Sequence, residues 1–249
     1  ANIDGQKLLV RRQKVLLGVS GGLDSMVLLH LLCGLSESRS WKLGVVHVNH
    51  GLRGRASGAD ARFVARQAEQ LGLPFFGEKC DVKGLAATGR ISIEMAARKA
   101  RHEIFAKVAQ KWRCRSVALA HHLDDQVELF FLRLFRGAGR QGLGGMKPLS
   151  LSPESKRVSL VRPLLDVNRA ELEEYARVNG IRFREDKSNS DESILRNRIR
   201  HRLIPLMKKD FQPALTELVG RTMDLLGEEQ EFLESQLGAV DNWADLPLA

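Results

Sequence analysis

The residues of this 249-residue chain best suited to chemistry form four clusters. The first, Ser20-Gly21-Gly22-Leu23-Asp24-Ser25, lies between the apolar runs Val15–Val19 and Met26–Leu29. Strand, glycine turn and helix in that order aim backbone N–H groups at an anion near a helix N-terminus. Gly21 and Gly22 allow a sharp turn and a close backbone approach, and Ser20 and Ser25 add hydroxyl donors. Asp24 repels a phosphate unless a divalent cation bridges the two or the carboxylate caps the helix. The loop therefore suggests a nucleotide with a metal, against the plainer reading of an ordinary strand-to-helix turn. It is neither a Walker A loop nor a dinucleotide fingerprint.

The second cluster, His47-Val48-Asn49-His50-Gly51-Leu52-Arg53, ends another apolar run. His and Asn there suit ribose hydroxyls or a base edge, and Arg53 suits a phosphate; local turn bonds at a polar strand exit are the alternative. The third, His121 to Glu128, brings two imidazoles together with Asp124, Asp125 and Glu128. One helix cap needs one carboxylate, so the excess points to Mg²⁺ or a cationic substrate. Adjacent His121 and His122 point in different directions from a strand end, which favours Mg²⁺ over zinc. The fourth, Arg196 to Arg202, is a dense basic helix with Arg196 and Arg200 on one face. Charge of one sign at that density repels itself without an anion, so we read it as an RNA-phosphate stripe or as arginines reaching an active site. Glu94, Arg98 and Arg101 share a helix face, either as a surface ion pair or as a cationic wall. Arg133 and Arg136 give a cationic helix end.

Strands expected at Val15–Val19, Leu43–Val48, Pro74–Cys80 and Val117–Ala120 alternate with helices at Asp24–Leu35, Gly58–Leu71, Ile93–Lys111 and Asp124–Arg136. That alternation predicts an α/β fold: a Rossmann-like parallel sheet covered on both faces. Ligands of such sheets sit beyond the carboxyl ends of the strands, where three of the clusters fall. Residues 137–159, rich in glycine and then serine, read as a mobile loop. Helices are expected at Asn168–Asn179, Ser193–Met207 and Pro213–Leu237. This gives a first domain over 1–165 and a smaller helical extension over 166–249.

Lys and Arg exceed Asp and Glu by 39 − 30 = 9. Such a surplus favours a polyanionic partner, most simply nucleic acid, or else a generally basic surface. Aromatic residues are only 6%, so base stacking on aromatic platforms is not the expected mode. The three cysteines have no paired spacing, which argues for a reducing cytoplasm and against a disulfide framework, a zinc knuckle or an iron–sulfur cluster. No apolar run reaches the roughly 20 residues of a membrane span, and no signal pattern stands at the start.

SGGLDS at Ser20–Ser25 resembles the pyrophosphate loop of the N-type ATP pyrophosphatases, the PP-loop superfamily. Further matches are HVNHGLRG at His47–Gly54, ARKARHEIF at Ala97–Phe105 and AHHLDDQVE at Ala120–Glu128. RLFRGAGRQGLGGM at Arg133–Met146, RPLL at Arg162–Leu165 and EDKSNSDESILRNRIR at Glu185–Arg200 complete the series. Taken in order, over about residues 10 to 210, they resemble the tRNA(Ile)-lysidine synthetase family. Leu129 departs from the family's usual Thr. Related tRNA thiolases rely on paired Cys-x-x-Cys elements, which this chain lacks.

The resemblance implies ATP-dependent joining of L-lysine to C2 of the wobble cytidine of tRNA(Ile) with a CAU anticodon. ATP and Mg²⁺ are the implied cofactors; tRNA(Ile) and L-lysine are the partners, with no membrane and no obligate protein partner. Ser20, Gly21, Gly22, Leu23, Asp24, Ser25, His47 and Asn49 are then the nucleotide-binding candidates, and Asp24 and Asp125 the metal candidates. Asp125, Glu128, Arg133, Arg136, Arg196, Asn197 and Arg200 are the substrate-binding candidates; Asp24, Asp125, Glu128, Arg98 and Arg196 are the catalytic ones. Family members commonly continue into C-terminal tRNA-binding domains, expected here to be absent, through truncation or as a compact form. Two other classes compete: an ATP pyrophosphatase adenylating a small carbonyl compound, and an RNA-binding module without catalysis. Clustered carboxylates argue against the last.

Overall fold

The computed structural model describes residues 3, 5–52, 55–184 and 194–240. By contact density the chain forms two compact units, residues 1–122 with 147–186, and residues 123–146 with 187–249.

The first unit is built on a six-stranded sheet: β1 (Lys14–Gly18), β2 (Lys42–Asn49), β3 (Phe75–Lys79), β4 (Ser116–Ala118), β5 (Leu149–Ser152) and β6 (Ser155–Val161). The order is β3-β2-β1-β4-β6-β5, parallel throughout except for β5, which runs antiparallel to β6. Side chains of a strand alternate between faces, so β1 supplies two cores. Val15 and Leu17, with Val19 beyond, enter one, together with Leu28, Leu29 and Leu32 of helix α1 (Leu23–Arg39). Leu16 enters the other, against Phe105 and Val108 of α4 (Ile93–Lys111) and Leu160 of β6. α1 and α4 thus cover opposite faces. α2 (Arg55–Gln70) and α7 (Arg169–Val178) join the first core through Val64, Ala68, Leu172 and Ala176. A short α3 (Val82–Gly89), absent from the sequence reading, is capped by Asp81 and packs Val82 and Ala86 on Ala96.

Residues 137–159 are not the mobile loop that their glycine and serine content suggested. They contain α6 (Arg140–Leu143), β5 and most of β6. The hairpin escaped notice because Ser155–Val161 alternates weakly, and only Val158, Leu160 and Val161 are buried.

The second unit holds α5 (Leu123–Leu134), α6, α8 (Leu195–Arg198), a π-helical turn at Ile199–Leu203, α9 (Ile204–Asp210) and α10 (Leu215–Val240). Its core joins Val127 and Phe131 of α5 to Ile199, Ile204, Leu215, Val219 and Met223. A linear cut at 165 assigns α5 and α6 to the first domain; the contacts group them with α10. The helix expected at Ser193–Met207 begins at Leu195 and is interrupted by the π turn.

Candidate functional site

Strand order reverses beside β1: the chain moves outward through β2 and β3, then returns to lay β4 on the other side of β1. The carboxyl ends of β1 and β4 flank the crevice where ligands of such sheets bind. The Ser20–Ser25 loop follows β1, and His121-His122 follows β4. There the Asp24 carboxylate lies 3.7 Å from Nε2 of His122, which is buried.

Ser25 organises the loop from within. Its hydroxyl accepts from the N–H groups of Ser20 and Gly21, each at 3.2 Å, and donates to the Gly22 carbonyl at 2.9 Å. Ser20 Oγ accepts from Gly22 N–H at 3.3 Å. Gly22 stands at the N-cap of α1 with no side-chain cap bond, leaving the helix end open to an anion. Gly21 has φ +97°, and a Cβ there would lie 3.2 Å from Val64 Cγ2. Gly21→Ala is expected to strain the loop and lower the free energy of unfolding by about 1–3 kcal/mol, read by urea unfolding.

Arg184, unnoticed in the sequence, secures the loop from the far side. Its N–H donates to the Gly21 carbonyl at 2.9 Å and its Nε to the Asp60 carboxylate. No motif signals these contacts, and the Arg184–Asp60 pair alone joins residues 124 positions apart. His47 is buried, with Nδ1 donating to the Val19 carbonyl at 2.8 Å, and braces the strand below the loop. Burial lowers its pKa. Asn49 Oδ1 accepts from Gly51 N–H at 2.9 Å, and Nδ2 donates to the Ser57 carbonyl at 3.3 Å, shaping the exit from β2. Arg53 and Glu185 to Ser193 lie outside the described residues.

Glu94 and Arg98 are both exposed on α4. Arg98 is exposed, at the start of a basic patch with Arg101, His102 and Arg162. Burial, then Arg101, Arg98 and Arg162, push His102 down to about 4. His50 is likewise pushed down to about 4 by burial, then by Arg101 and His47. Both are neutral in the folded protein at pH 6, whereas an unfolded imidazole titrates near 6.5. Between these values the unfolded chain binds more protons, so stability falls as pH drops from 6.5 towards 4. The thermal midpoint is expected to be lower at pH 5 than at pH 7, and His102→Gln should flatten that decline.

The second unit carries the carboxylate cluster. Arg196 Nη2 contacts Asp125 Oδ1 at 2.6 Å, and its Nε contacts Glu128 Oε2 at 2.7 Å. Arg200 binds Glu128 Oε1 through Nε and Oε2 through Nη2 at 3.0 Å, and lies 3.5 Å from Asp125 Oδ1. Glu128 is 1% exposed. Arg200 belongs to the π turn, a deviation often found at functional positions. Asn197 is buried on the same helix. Arg133 Nη1 donates to the carbonyls of Gly142 and Gly145, securing the glycine-rich turn, and Arg136 is exposed. Gln126, unnoticed in the sequence, exchanges two hydrogen bonds with the backbone of Met146, at 2.8 and 2.9 Å.

No group of three or more His, Cys, Asp or Glu side chains among the described residues could hold a metal. Among the described residues, Asp24 presents a carboxylate in the first turn of α1, beside the loop. That suits Mg²⁺, which takes most of its ligands from phosphate oxygens and water, and does not suit zinc.

Residues 3–207 match the family model of the PP-loop domain. A tRNA(Ile)-lysidine synthase of Geobacter sulfurreducens is 44% identical over 220 residues, 88% of this chain and 45% of that protein. One of Petrotoga mobilis is 37% identical over 225 residues, 90% of this chain and 70% of that protein. The chain spans about half the length of the first curated relatives it matches. The U34-tRNA thiolase NcsA from Methanococcus maripaludis shares the fold: TM-score 0.71 at 22% identity, covering 89% of this chain and 74% of that one. By the family model and by these relatives, the chain belongs to the PP-loop family and, within it, to the tRNA(Ile)-lysidine synthases.

Proposed function

We infer that the chain catalyses ATP-dependent ligation of L-lysine to C2 of the wobble cytidine in tRNA(Ile) with a CAU anticodon. The C2 oxygen attacks the α-phosphate of ATP, and pyrophosphate leaves. The lysine ε-amine then attacks C2 of the adenylated cytidine, and AMP leaves. One observation carries this reading: identity of 37–44% over about nine-tenths of the chain to proteins named tRNA(Ile)-lysidine synthase.

The loop chemistry supports the first step. N–H groups of Ser20, Gly21 and Gly22, now bonded to the Ser25 and Ser20 hydroxyls, would turn to the pyrophosphate and offset its leaving charge. Leu23, buried, anchors the first turn behind them. Asp24 would hold Mg²⁺, which supplies further neutralisation of phosphate charge. Asp125 is a weaker metal candidate, because two guanidinium groups already face its carboxylate.

For the second step the ammonium group of lysine must lose a proton before its nitrogen can attack. We assign that to Asp125, the more accessible carboxylate. Glu128 would hold Arg196 and Arg200 in place, where their charge suits an anionic group of the substrate. Arg136, Asn197 and Arg98 would contact RNA, and Arg133 would act by shaping the glycine turn. We place the protein in the cytoplasm, where Cys33, Cys80 and Cys114 stay as thiols. No helix among the described residues is long and apolar enough to cross a membrane.

AMP release tests the reading against a small-molecule adenylating enzyme. The expected result is AMP formation that needs tRNA(Ile) and rises with lysine. AMP formed equally without RNA would replace this reading with the other.

A further inference from the structure

A second basic surface lies on the first unit, on the sheet face opposite α1. α4 places Arg98, Arg101 and His102 at i, i+3 and i+4, on one side of its N-terminal half. Arg162, the residue after β6, joins them. Its side chain is buried; Nη1 donates to the Lys147 carbonyl at 2.7 Å and to Ser150 Oγ at 3.0 Å, while Nε has no partner. His102 is 7% exposed, and its Nδ1 also lacks a partner. The charges acting on these groups are all positive: Arg101, Arg98 and Arg162 on His102, and Arg98 on Arg162. Burial, then Arg98, lower the Arg162 guanidinium to about 10. A buried guanidinium with no carboxylate is costly to keep, and two buried polar nitrogens without partners add to that cost. An anion entering between them would satisfy all three.

We propose that Arg98, His102 and Arg162 receive one phosphodiester of the RNA substrate. The inference rests on the functional reading above and assigns Arg98 to RNA rather than to the nucleotide. The leaving pyrophosphate already has the loop after β1 and the N-terminus of α1. Arg162 stands two strands away in the order β1-β4-β6, about 10 Å at the usual strand spacing, and α4 covers the other face. Among the described residues, the charges acting on His102 and Arg162 are cations, and none is a carboxylate that would hold the divalent cation a triphosphate carries. A singly charged phosphodiester needs only guanidinium and N–H donors.

The test uses the whole chain, a fluorescein-labelled RNA anticodon stem-loop with a CAU loop, and NaCl from 50 to 200 mM. ATP affinity is measured in parallel by calorimetry. Arg98→Met, at an exposed position, is expected to weaken RNA binding roughly tenfold and to reduce the slope of log Kd against log [NaCl] by about 0.7–0.9. Arg162→Lys keeps the charge but loses the fork, so RNA binding weakens with the slope unchanged. ATP affinity should stay within about twofold in both, with each thermal midpoint confirming a folded protein. Loss of ATP affinity with RNA binding intact, or no change in either, overturns the proposal, as does a wild type that binds no RNA. RNA binding through Arg98 without lysine incorporation by the wild type overturns the functional reading and leaves the phosphodiester site standing.

Discussion

Arg200→Met is expected to lower the free energy of unfolding by about 3 kcal/mol. Among the described residues of the second unit Glu128 is the most deeply buried charge, at 1% exposure, and both of its oxygens are bound by guanidinium groups. Removing Arg200 leaves Oε1 ionised with its ion-pair partner gone, next to the core formed by Val127, Phe131 and Ile199. Breaking a buried pair from one side costs about 3–5 kcal/mol, and the Arg196 contact to Oε2 holds this case to the lower end. Glu128→Gln should cost less, about 1–2 kcal/mol, because Arg196 and Arg200 keep part of their hydration. Urea unfolding of the two variants checks the order. A smaller loss in Arg200→Met than in Glu128→Gln would contradict the burial argument.

Asp24→Asn is expected to cut AMP formation by at least about a hundredfold while costing less than about 1 kcal/mol of stability. The carboxylate is partly exposed, and its contact with His122, at 3.7 Å, is longer than a hydrogen bond. An amide of the same shape in its place is therefore expected to disturb the fold little. Its role in the proposed chemistry is charge: a neutral amide oxygen holds Mg²⁺ more weakly than a carboxylate. Raising MgCl₂ should recover part of the lost rate in Asp24→Asn, and chelating the metal should bring the wild type down to the level of the variant. Single-turnover AMP formation across a MgCl₂ titration measures both. A variant with unchanged rate and unchanged Mg²⁺ dependence would remove Asp24 from the site.

The sheet that positions the loop was legible because β1, β2 and β4 are short apolar runs, each followed by a polar cluster. The hairpin of β5 and β6 was not: glycine and serine composition dominated the reading, and the burial of Leu160 and Val161 comes from sheet contacts remote in sequence. The carboxylates Asp125 and Glu128 and the arginines Arg196 and Arg200 each stood out by spacing. Their mutual contact did not, because the pairs are separated by 68 to 75 positions. His47 and Ser25 stood out by type, yet their hydrogen bonds point inward, to Val19 and to the loop backbone. Arg162 and His102 were passed over as single residues inside longer motifs. Only their burial beside other cations makes them notable.

The most direct test of the central claim is ATP-dependent incorporation of labelled lysine into tRNA(Ile) with a CAU anticodon, with tRNA(Met) as the control RNA. The expected result is label in tRNA(Ile), little in tRNA(Met), none without ATP, and loss of labelling in Asp125→Asn. ATP bound and cleaved to AMP with no lysine in either RNA, or equal labelling by wild type and Asp125→Asn, would contradict it.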